Sequence, residues 1–496
     1  MRTTLGAIAD RLAREGVLAS GAPDATAAGI SISDLTTDSR AVAPGTLFCA
    51  VRGTAGDGHR FLGDAARAGA AAALVEESAP ELEIPQLTVS SGRDAAAWAA
   101  AEFFGDPWSD LTLVGITGTN GKTTSAAILR HLLASRAPAA SIGTLGAIGA
   151  DGLVIPGTEG LTTPGPVELA RWLRRLHDDG VRAVAMEVSS HALDQGRARA
   201  ARFDAALFTN LTRDHLDYHG TLEAYRAAKL RLVNLLKPGG AAIFNADDPA
   251  WAGAEAGGAR LVRFGIDAPA EVRAENVVFG SQGMEWMLRT PTGTARVSLP
   301  LFGLFNVANA LGAAAVLWSL GWEEERIAQG LETLPQVPGR LERVPTPAGA
   351  PAVLIDFAHT PDALERALTA LRPLVKGELI VVFGAGGDRD RGKRPEMGRV
   401  AAALADRSIV TSDNPRTEDP EAILDEIERG MGRAPRQRIV DRREAIRQAI
   451  ETASSADLVL LAGKGHETYQ IRGTVKHHFD EREVVAELFA GKGVPA

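Results

Sequence analysis

The run GITGTNGKTT, residues 115–124, combines the residue types that hold the phosphates of a nucleotide. Glycines at 115, 118 and 121 would let the backbone turn its N–H groups inward onto phosphate oxygens. Lys122 would then reach the outer phosphates and Thr123 could hold Mg²⁺. A following helix would point its positive end at the anion. The usual pattern asks for glycine at 116, where this chain has Ile116, and its glycines are spaced by three instead. ATP or GTP binding is the expectation. The reaction that consumes the nucleotide is not written in this stretch.

Three further side chains could complete such a site. Glu187, in MEVSSHALDQGR (186–197), falls near the end of one apolar run, and His215, in NLTRDHLDYHG (210–220), falls just past the next. Each could be structural on its own. Together they would flank the phosphate loop, where a magnesium ion needs oxygen ligands. Imidazole is an uncommon magnesium ligand, so His215 has the weaker claim on chemistry alone. Lys229 lies on the apolar stripe of TLEAYRAAKLRLVNLL (221–236), read here as one helix. An ammonium there is costly unless it is paired, snorkels to solvent or has a lowered pKa with a special role.

Arg416 closes TSDNPRTED (411–419), a turn after the short apolar run Ser408–Val410. A solvated loop charge is the plain reading. The alternative is a ligand-binding guanidinium, since ligands in open α/β sheets bind beyond the carboxyl ends of strands.

The elements that would position these residues follow from the apolar pattern. LTLVGITG enters the glycine turn as a strand, and TTSAAILRHLLASR leaves it as a helix. VRAVAMEVSS, FDAALFTNL and GGAAIFNADDP follow, separated by helical stretches, which implies a parallel, doubly wound sheet. Around 259–300 the pattern turns antiparallel, with MEWMLRTPTGTARVSLP reading as a hairpin about Pro291–Gly293. LGAAAVLWSLGW (311–322) reads as a buried helix. After 340 a second α/β unit has four apolar runs, AVLIDFAH, LIVVFGAGG, RSIVTSDN and LVLLAGKG, each ending in a loop rich in Gly, Asp, His or Asn. The first 105 residues suggest an opening helix, a small sheet over ISISDLTTDSRAVAPGTLFCAVRG, and a helix-like FLGDAARAGAAAALVEE; FFGDPWSD (103–110) breaks any helix and reads as a linker.

The expected fold class is α/β in three domains, as a length of 496 residues suggests at roughly 150 per domain. Residues 1–105 would form a small α/β N-terminal domain. Residues 106–338 would form a central P-loop domain, a doubly wound parallel sheet with an antiparallel β extension. Residues 339–496 would form a C-terminal Rossmann-like α/β domain. A hydrophobic fraction of 45% and a charged fraction of 23% suit an ordinary globular core. The net charge of −9 argues against nucleic acid as a partner. The lone Cys49 rules out an internal disulfide framework and fits a reducing cytosol. MRTTLGAIADRLAREG carries charges every few residues and is not read as a signal peptide, and no run approaches the roughly 18 apolar residues of a membrane span. A cytoplasmic monomer acting on small molecules is expected.

The chain as a whole resembles the Mur ligases, the ATP-dependent peptide ligases of cytoplasmic peptidoglycan precursor synthesis. The resemblance rests on GTNGKTT, EVSSHALDQGR, DHLDYHG, YRAAK, LFGLFNVANALGA, PGRLE, DFAHTPDAL, GAGGDRDRGKRPEMG, DNPR and GKGHE, in the family's order across three domains. Within the family it is most similar to the ligases that add the third residue of the stem peptide, and DNPR resembles the form specific for meso-diaminopimelate. The resemblance implies that Ser39, Thr54, Ala55 and Gly56 hold the uridine nucleotide, and that Thr162, Thr163, Ser189, Gln195 and Arg197 hold the muramoyl dipeptide. It implies ATP contacts from Gly118, Thr119, Asn120, Gly121, Lys122, Thr123, Thr124, Asn306, Asn309, Arg340 and Asp356. Magnesium would be held by Thr123, Glu187, His215 and Lys229, the last as a carbamate formed with CO₂. Lys122, Lys229, Glu187 and His215 would serve catalysis. Arg389, Asp413, Asn414, Pro415, Arg416, Gly463 and Glu467 would bind diaminopimelate. Phe357 stands where the family often has tyrosine.

The implied reaction phosphorylates the D-glutamyl γ-carboxylate, and the amine of the incoming residue then attacks the acyl phosphate. Diaminopimelate differs from L-lysine by one distal carboxylate, which a guanidinium fork at 416 would pair with and lysine would leave unmet. A lysine-adding ligase should lack that arginine. A folylpolyglutamate synthase should lack both SSHALDQGR and DNPR. A P-loop switch or motor would leave the last domain's loops without purpose.

Overall fold

The computed structural model describes residues 1–19, 22–53, 56–279 and 283–490. Three sheets organise it. In the first, strands Asp34–Thr36, Thr46–Cys49, Ala72–Val75 and Gln86–Thr88 lie parallel in chain order. Helices Leu5–Arg14 and Gly92–Phe104 cover one face. The helix Gly92–Phe104 buries a continuous alanine-rich side and stops at Gly105, whose φ of +68° suits a left-handed cap. Arg171 Nη2 donates to Asp34 Oδ1 at 2.8 Å and so ties this sheet to the next unit.

The central sheet has ten strands. Thr112–Thr117 lies inside it, parallel to Ala183–Glu187 on one side and Phe203–Phe208 on the other. Leu236–Asn245, Arg260–Gly265 and Val272–Phe279 extend the parallel part, and Met284–Arg289 and Thr294–Leu299 add the antiparallel hairpin. Helices Lys122–Ala134 and Leu304–Ser319 pack on one face through Ile128, Leu129, Leu132, Val307, Leu311 and Val316, all buried.

The third sheet runs Glu342–Val344, Ala352–Asp356, Leu458–Ala462, Leu379–Phe383, Arg407–Val410, Arg436–Arg438, and only its first pairing is antiparallel. The four central strands are apolar on both faces because helices cover both, as parallel sheets require. Their carboxyl ends share one edge, so four Gly/Asp/His/Asn loops converge there. Leu460 is fully buried in the middle strand. Leu460→Ala is expected to cost about 2–5 kcal/mol of stability, read as a lower midpoint in urea.

Three sequence expectations change. The helix read over 221–236 stops at Leu230; a 3₁₀ turn, Arg231–Leu235, follows, and Leu236 already pairs with Phe203. The tighter turn buries Leu232, Val233 and Leu235 and delivers the chain to the sheet. In FLGDAARAGAAAALVEE only Leu62–Arg67 is helical. Gly69, at φ +90°, ends it, and Ala72–Val75 forms a strand because pairing on both sides outweighs alanine's helix preference. Near 259 the sheet stays parallel, and reversal begins only after Phe279.

Candidate active site

The phosphate loop springs from the carboxyl end of Thr112–Thr117. Gly118 has φ +148° and Gly121 φ +85°, conformations that favour glycine. Gly115 has another role. It lies within the strand, where a Cβ would stand 3.0 Å from the Phe203 ring and 3.2 Å from Leu232, so it is small for packing rather than for cradling phosphate. The loop is braced from behind: Thr119 N donates to the Asn210 carbonyl at 2.7 Å, and Asn120 N to Asn210 Oδ1 at 2.9 Å. Lys122 curls onto the loop, donating to the carbonyls of Gly118 (3.0 Å) and Thr119 (2.8 Å). Burial lowers its pKa.

A cavity of about 300 Å³ opens in front of this loop, lined on one side by residues 119–124, Thr144, Glu187 and His215 and on the other by Arg340, Asp356, His359 and Arg366. The third unit closes over the second here. Arg340 Nη2 donates to Thr123 Oγ1 at 3.0 Å, and Asn120 Nδ2 donates to Asp362 Oδ2 at 2.7 Å. Arg340 also lies over the Phe357 ring at 4.9 Å, a contact that needs no hydroxyl. Asp356 accepts from Leu341 N at 2.7 Å, and burial pushes its carboxyl up to about 6 against the pull of Arg340. Asn309 packs against Gly121, with Asn306 Oδ1 accepting from its Nδ2 at 3.3 Å.

Glu187 is 1% exposed at the strand end beside Ile116. Its Oε2 accepts from Thr123 Oγ1 (3.1 Å) and Thr144 Oγ1 (3.2 Å), and its Oε1 from Thr144 N (2.9 Å). It makes no ion pair among the described residues. Lys229, also 1% exposed, donates to the Gly118 carbonyl at 2.6 Å and lies 4.3 Å from the Tyr225 ring centroid. Burial, then repulsion from Lys122, holds its pKa far below the ordinary lysine value. His215 sits at the cavity rim with φ +54°, edge-on to His191 at 4.7 Å. Among the described residues no group of three or more His, Cys, Asp or Glu is arranged to hold a metal. A buried carboxylate beside a phosphate loop nevertheless fits magnesium, which keeps waters and takes oxygens from nucleotide phosphates.

Thr162, Thr163, Ser189, Gln195 and Arg197 come together next to Glu187. Thr162 Oγ1 is 3.1 Å from Thr144 Oγ1. Thr163 Oγ1 donates to the Glu187 carbonyl (3.0 Å) and accepts from Ser189 N (3.0 Å). Arg197 spans the Thr163 carbonyl (3.0 Å) and Gln195 Oε1 (2.6 Å). Ser39 opens a 3₁₀ turn, Ser39–Ala41, and Gly56 lies on a loop of the first sheet, with no hydrogen bond from either to this cluster among the described residues. Thr54 and Ala55 fall outside the described residues.

A second pocket forms at the same edge of the third sheet. Asp413 and Asn414 are buried, and Lys464, fully buried, donates to Asn414 Oδ1 and Glu467 Oε2, both at 3.2 Å. Asn414 Nδ2 donates to Glu467 Oε2 at 2.8 Å, and burial raises the Glu467 carboxyl. At Gly463, φ +118°, a Cβ would stand 2.5 Å from Asp413 Oδ2. Pro415 presses its carbonyl against Gly387. Arg416 is half-buried; its Nη1 donates to the Gly387 carbonyl at 2.7 Å, and burial and the charge of Arg389 lower its pKa. Neither Arg416 nor Arg389 has an ion-pair partner among the described residues. Lys393 and His359 feel both Asp214 at the first cavity and Asp413 at the second, so the two sites adjoin.

Sequence reasoning gave no role to Thr144, Asn210, His359, Asp362, Lys464 or Gln470. Four of them stand in or beside stretches singled out for other reasons: Asn210 opens NLTRDHLDYHG, His359 and Asp362 belong to DFAHTPDAL, and Lys464 belongs to GKGHE. Thr144 had no local signal.

A three-sheet α/β chain whose phosphate loop is closed over by the next unit, beside a cationic pocket, defines a nucleotide-dependent ligase architecture. Family comparison gives the same class in three matched segments: the Mur ligase family catalytic domain over residues 31–104, the Mur ligase middle domain over 116–317, and the Mur ligase glutamate ligase domain over 339–465. The chain belongs to the Mur ligase family. It is 45% identical over 486 residues to the UDP-N-acetylmuramoyl-L-alanyl-D-glutamate--2,6-diaminopimelate ligase of Gloeobacter violaceus, covering 97% of each chain. It is 45% identical to the ligase of that name from Geobacter metallireducens, covering 93% and 94%. A solved structure of a UDP-N-acetylmuramoyl-L-alanyl-D-glutamate--2,6-diaminopimelate ligase superposes with a TM-score of 0.69 at 31% identity, over 99% of each chain. The MurF ligase of Thermotoga maritima, solved in complex with ADP, shares the fold at 20% identity and a TM-score of 0.65, covering 92% of this chain and 96% of that one.

Proposed function

We propose that this chain joins meso-2,6-diaminopimelate to the D-glutamyl γ-carboxylate of UDP-N-acetylmuramoyl-L-alanyl-D-glutamate, using ATP, in cytoplasmic peptidoglycan precursor synthesis. The observation that carries the amino-acid assignment is the half-buried Arg416 beside Arg389, two guanidinium groups with no carboxylate partner among the described residues. The names of its relatives agree. No helix among the described residues is long and apolar enough to cross a membrane. The residues proposed to hold the three substrates all belong to one chain, which suits a monomer.

The γ-carboxylate attacks the terminal phosphorus of ATP, the bond to ADP breaks, and an acyl phosphate forms. Residues 118–124 hold the phosphates by backbone N–H groups and the helix dipole. Lys122 leaves its loop carbonyls to follow the charge, and Arg340 approaches from the opposite wall. Asn306 and Asn309 support Gly121, and the Asp356 carboxylate attracts the Arg340 guanidinium. Magnesium would be held by Thr123, Glu187, His215 and Lys229 and would supply further charge neutralisation. The depressed pKa keeps the Lys229 amine neutral; its nitrogen bonds CO₂, releases one proton, and becomes an anionic carbamate suited to that cation. The free amine of diaminopimelate then attacks the acyl carbon and phosphate leaves. Arg416 and Arg389 hold carboxylates of the incoming residue, while Asp413 and Glu467 accept from its distal ammonium. Ser39, Thr54, Ala55 and Gly56, with the Thr162–Arg197 cluster, hold the uridine substrate. Incubation with ATP, the UDP-muramoyl dipeptide and meso-diaminopimelate should yield a product heavier by one diaminopimelate less water; its absence refutes the reading.

Two consequences can be measured. Gly118→Ala would place a Cβ onto Thr209 Oγ1 at a backbone angle alanine avoids, shifting the loop. A displacement of that order should lower kcat/KM for ATP about 100-fold. Burial pushes the Asp356 carboxyl up to about 6. Above that pH it is an anion that attracts the Arg340 guanidinium; below it the carboxyl is neutral and that attraction is lost. Activity should therefore fall on the acid side of pH 6, and Asp356→Asn should flatten that limb in a pH–rate profile.

A further inference from the structure

A two-stranded antiparallel ribbon, Tyr469–Arg472 and Val475–His478, stands apart from the six-stranded sheet. Its outer strand is exposed throughout. Its inner strand lies against the loop that carries Arg416. Gln470, 1% exposed, donates Nε2 to the Asp413 carbonyl at 2.7 Å, and its Oε1 accepts from Arg472 Nε at 2.9 Å. Ile471 N donates to Asn414 Oδ1 at 2.9 Å.

The remaining bonds grip Arg416 itself. Its N–H donates to the Ile471 carbonyl at 3.1 Å, and its carbonyl accepts from Gly473 N at 2.8 Å. Arg416 has φ +51°, a left-handed conformation uncommon for a residue with a Cβ. A backbone in that state persists only where its surroundings hold it. Here both of its backbone polar groups are held by the ribbon, and the side chain is fixed separately by the Gly387 carbonyl. Packing contributes little to the outer strand, where all four residues are exposed, Val475 at 55%.

We infer that the ribbon is a positioning device for substrate selection: through Gln470, Ile471 and Gly473 it holds Arg416 in the backbone geometry that aims its guanidinium at the distal carboxylate of the incoming amino acid. The inference rests on the proposed reading of the Arg416 pocket. Among the described residues no hydrogen bond or ion pair joins the ribbon to the phosphate loop or to the Thr162–Arg197 cluster, so its effect should fall on one of three substrates. Gln470 is thus a positioning residue that acts through Asp413 and Arg416.

The test uses the full chain with two substitutions. Gln470→Ala removes the bond to the Asp413 carbonyl. Gly473→Pro, at the ribbon's tip, removes the N–H that meets the Arg416 carbonyl and cannot adopt the native φ of +61°. Each variant should raise KM for meso-diaminopimelate about tenfold, the worth of one lost hydrogen bond, and lower the preference over L-lysine by a similar factor. KM for ATP and for the UDP-muramoyl dipeptide should stay unchanged. Lys476→Ala, on the exposed strand, should change none of them. Parallel changes in all three KM values, or none in either variant, overturn the ribbon's role. A parent enzyme that does not accept meso-diaminopimelate overturns the reading of the pocket instead.

Discussion

Replacing Arg416 with alanine should lower kcat/KM for meso-diaminopimelate by about two to three orders of magnitude, the usual cost of truncating one partner of a buried charge pair. The loss should fall almost entirely on that substrate. Arg416 donates to the Gly387 carbonyl and faces Arg389, and neither contact reaches the nucleotide cavity. KM for ATP should therefore hold steady. L-lysine, which has no distal carboxylate, should be used no worse by the variant than by the parent, so the ratio between the two amino acids collapses. Arg416→Lys should recover little, because an ammonium lacks the planar fork that pairs with a carboxylate. Steady-state rates with each amino acid varied at saturating ATP decide the matter. Equal losses for ATP and diaminopimelate would contradict a specificity role.

The second large effect is expected at Lys229. Its ammonium form is disfavoured by burial and by Lys122, and among the described residues its amine bonds the Gly118 carbonyl and lies over the Tyr225 ring. A buried lysine held neutral is a poor structural cation and a good nucleophile for CO₂. Lys229→Ala should lower kcat about 100- to 1,000-fold, the scale of losing one preorganised electrostatic contact in the transition state. The uridine substrate should bind as before. Stripping dissolved CO₂ from the buffer should slow the parent reversibly, with bicarbonate restoring it, and should leave the alanine variant unchanged. A parent indifferent to CO₂ would remove the carbamate from the account while leaving the lysine's importance to be explained by its bond to Gly118.

Much of this geometry was legible because it is local. The phosphate loop is a strand, a glycine turn and a helix in one short stretch, and its left-handed positions announce themselves as Gly118 and Gly121. Glu187 was placed by the end of an apolar run, and the sheet register sets it beside Ile116. Lys229 betrayed itself as a charge on an apolar stripe, although that stripe ends sooner than its periodicity implied. The 3₁₀ turn Arg231–Leu235 has the same apolar content as a helix, and only the pairing of Leu236 with Phe203 distinguishes them. The strand Ala72–Val75 was hidden by alanine, whose preference is helical and whose burial here is set by neighbours on both sides.

The resemblance brought Asn120, Thr123, Arg340 and Asp356 to the nucleotide, but the direct contacts that close the units were not legible in any local pattern. Asn120 and Asp362 are 242 residues apart in the chain, and no periodicity reports that they meet. The same holds for Arg340 on Thr123 and for Gln470 under Asp413. Gly115 shows the opposite error: its spacing from Gly118 and Gly121 resembles a phosphate cradle, while the Phe203 ring explains it.

The most direct measurement is ATP-dependent phosphate release with the UDP-muramoyl dipeptide and a panel of diamino acids. Turnover is predicted to require all three substrates and to favour meso-diaminopimelate over L-lysine by about two orders of magnitude or more, the margin by which a polar site rejects an analogue lacking its partner group. Phosphate release that ignores the amino acid supplied, or that favours L-lysine, would contradict it.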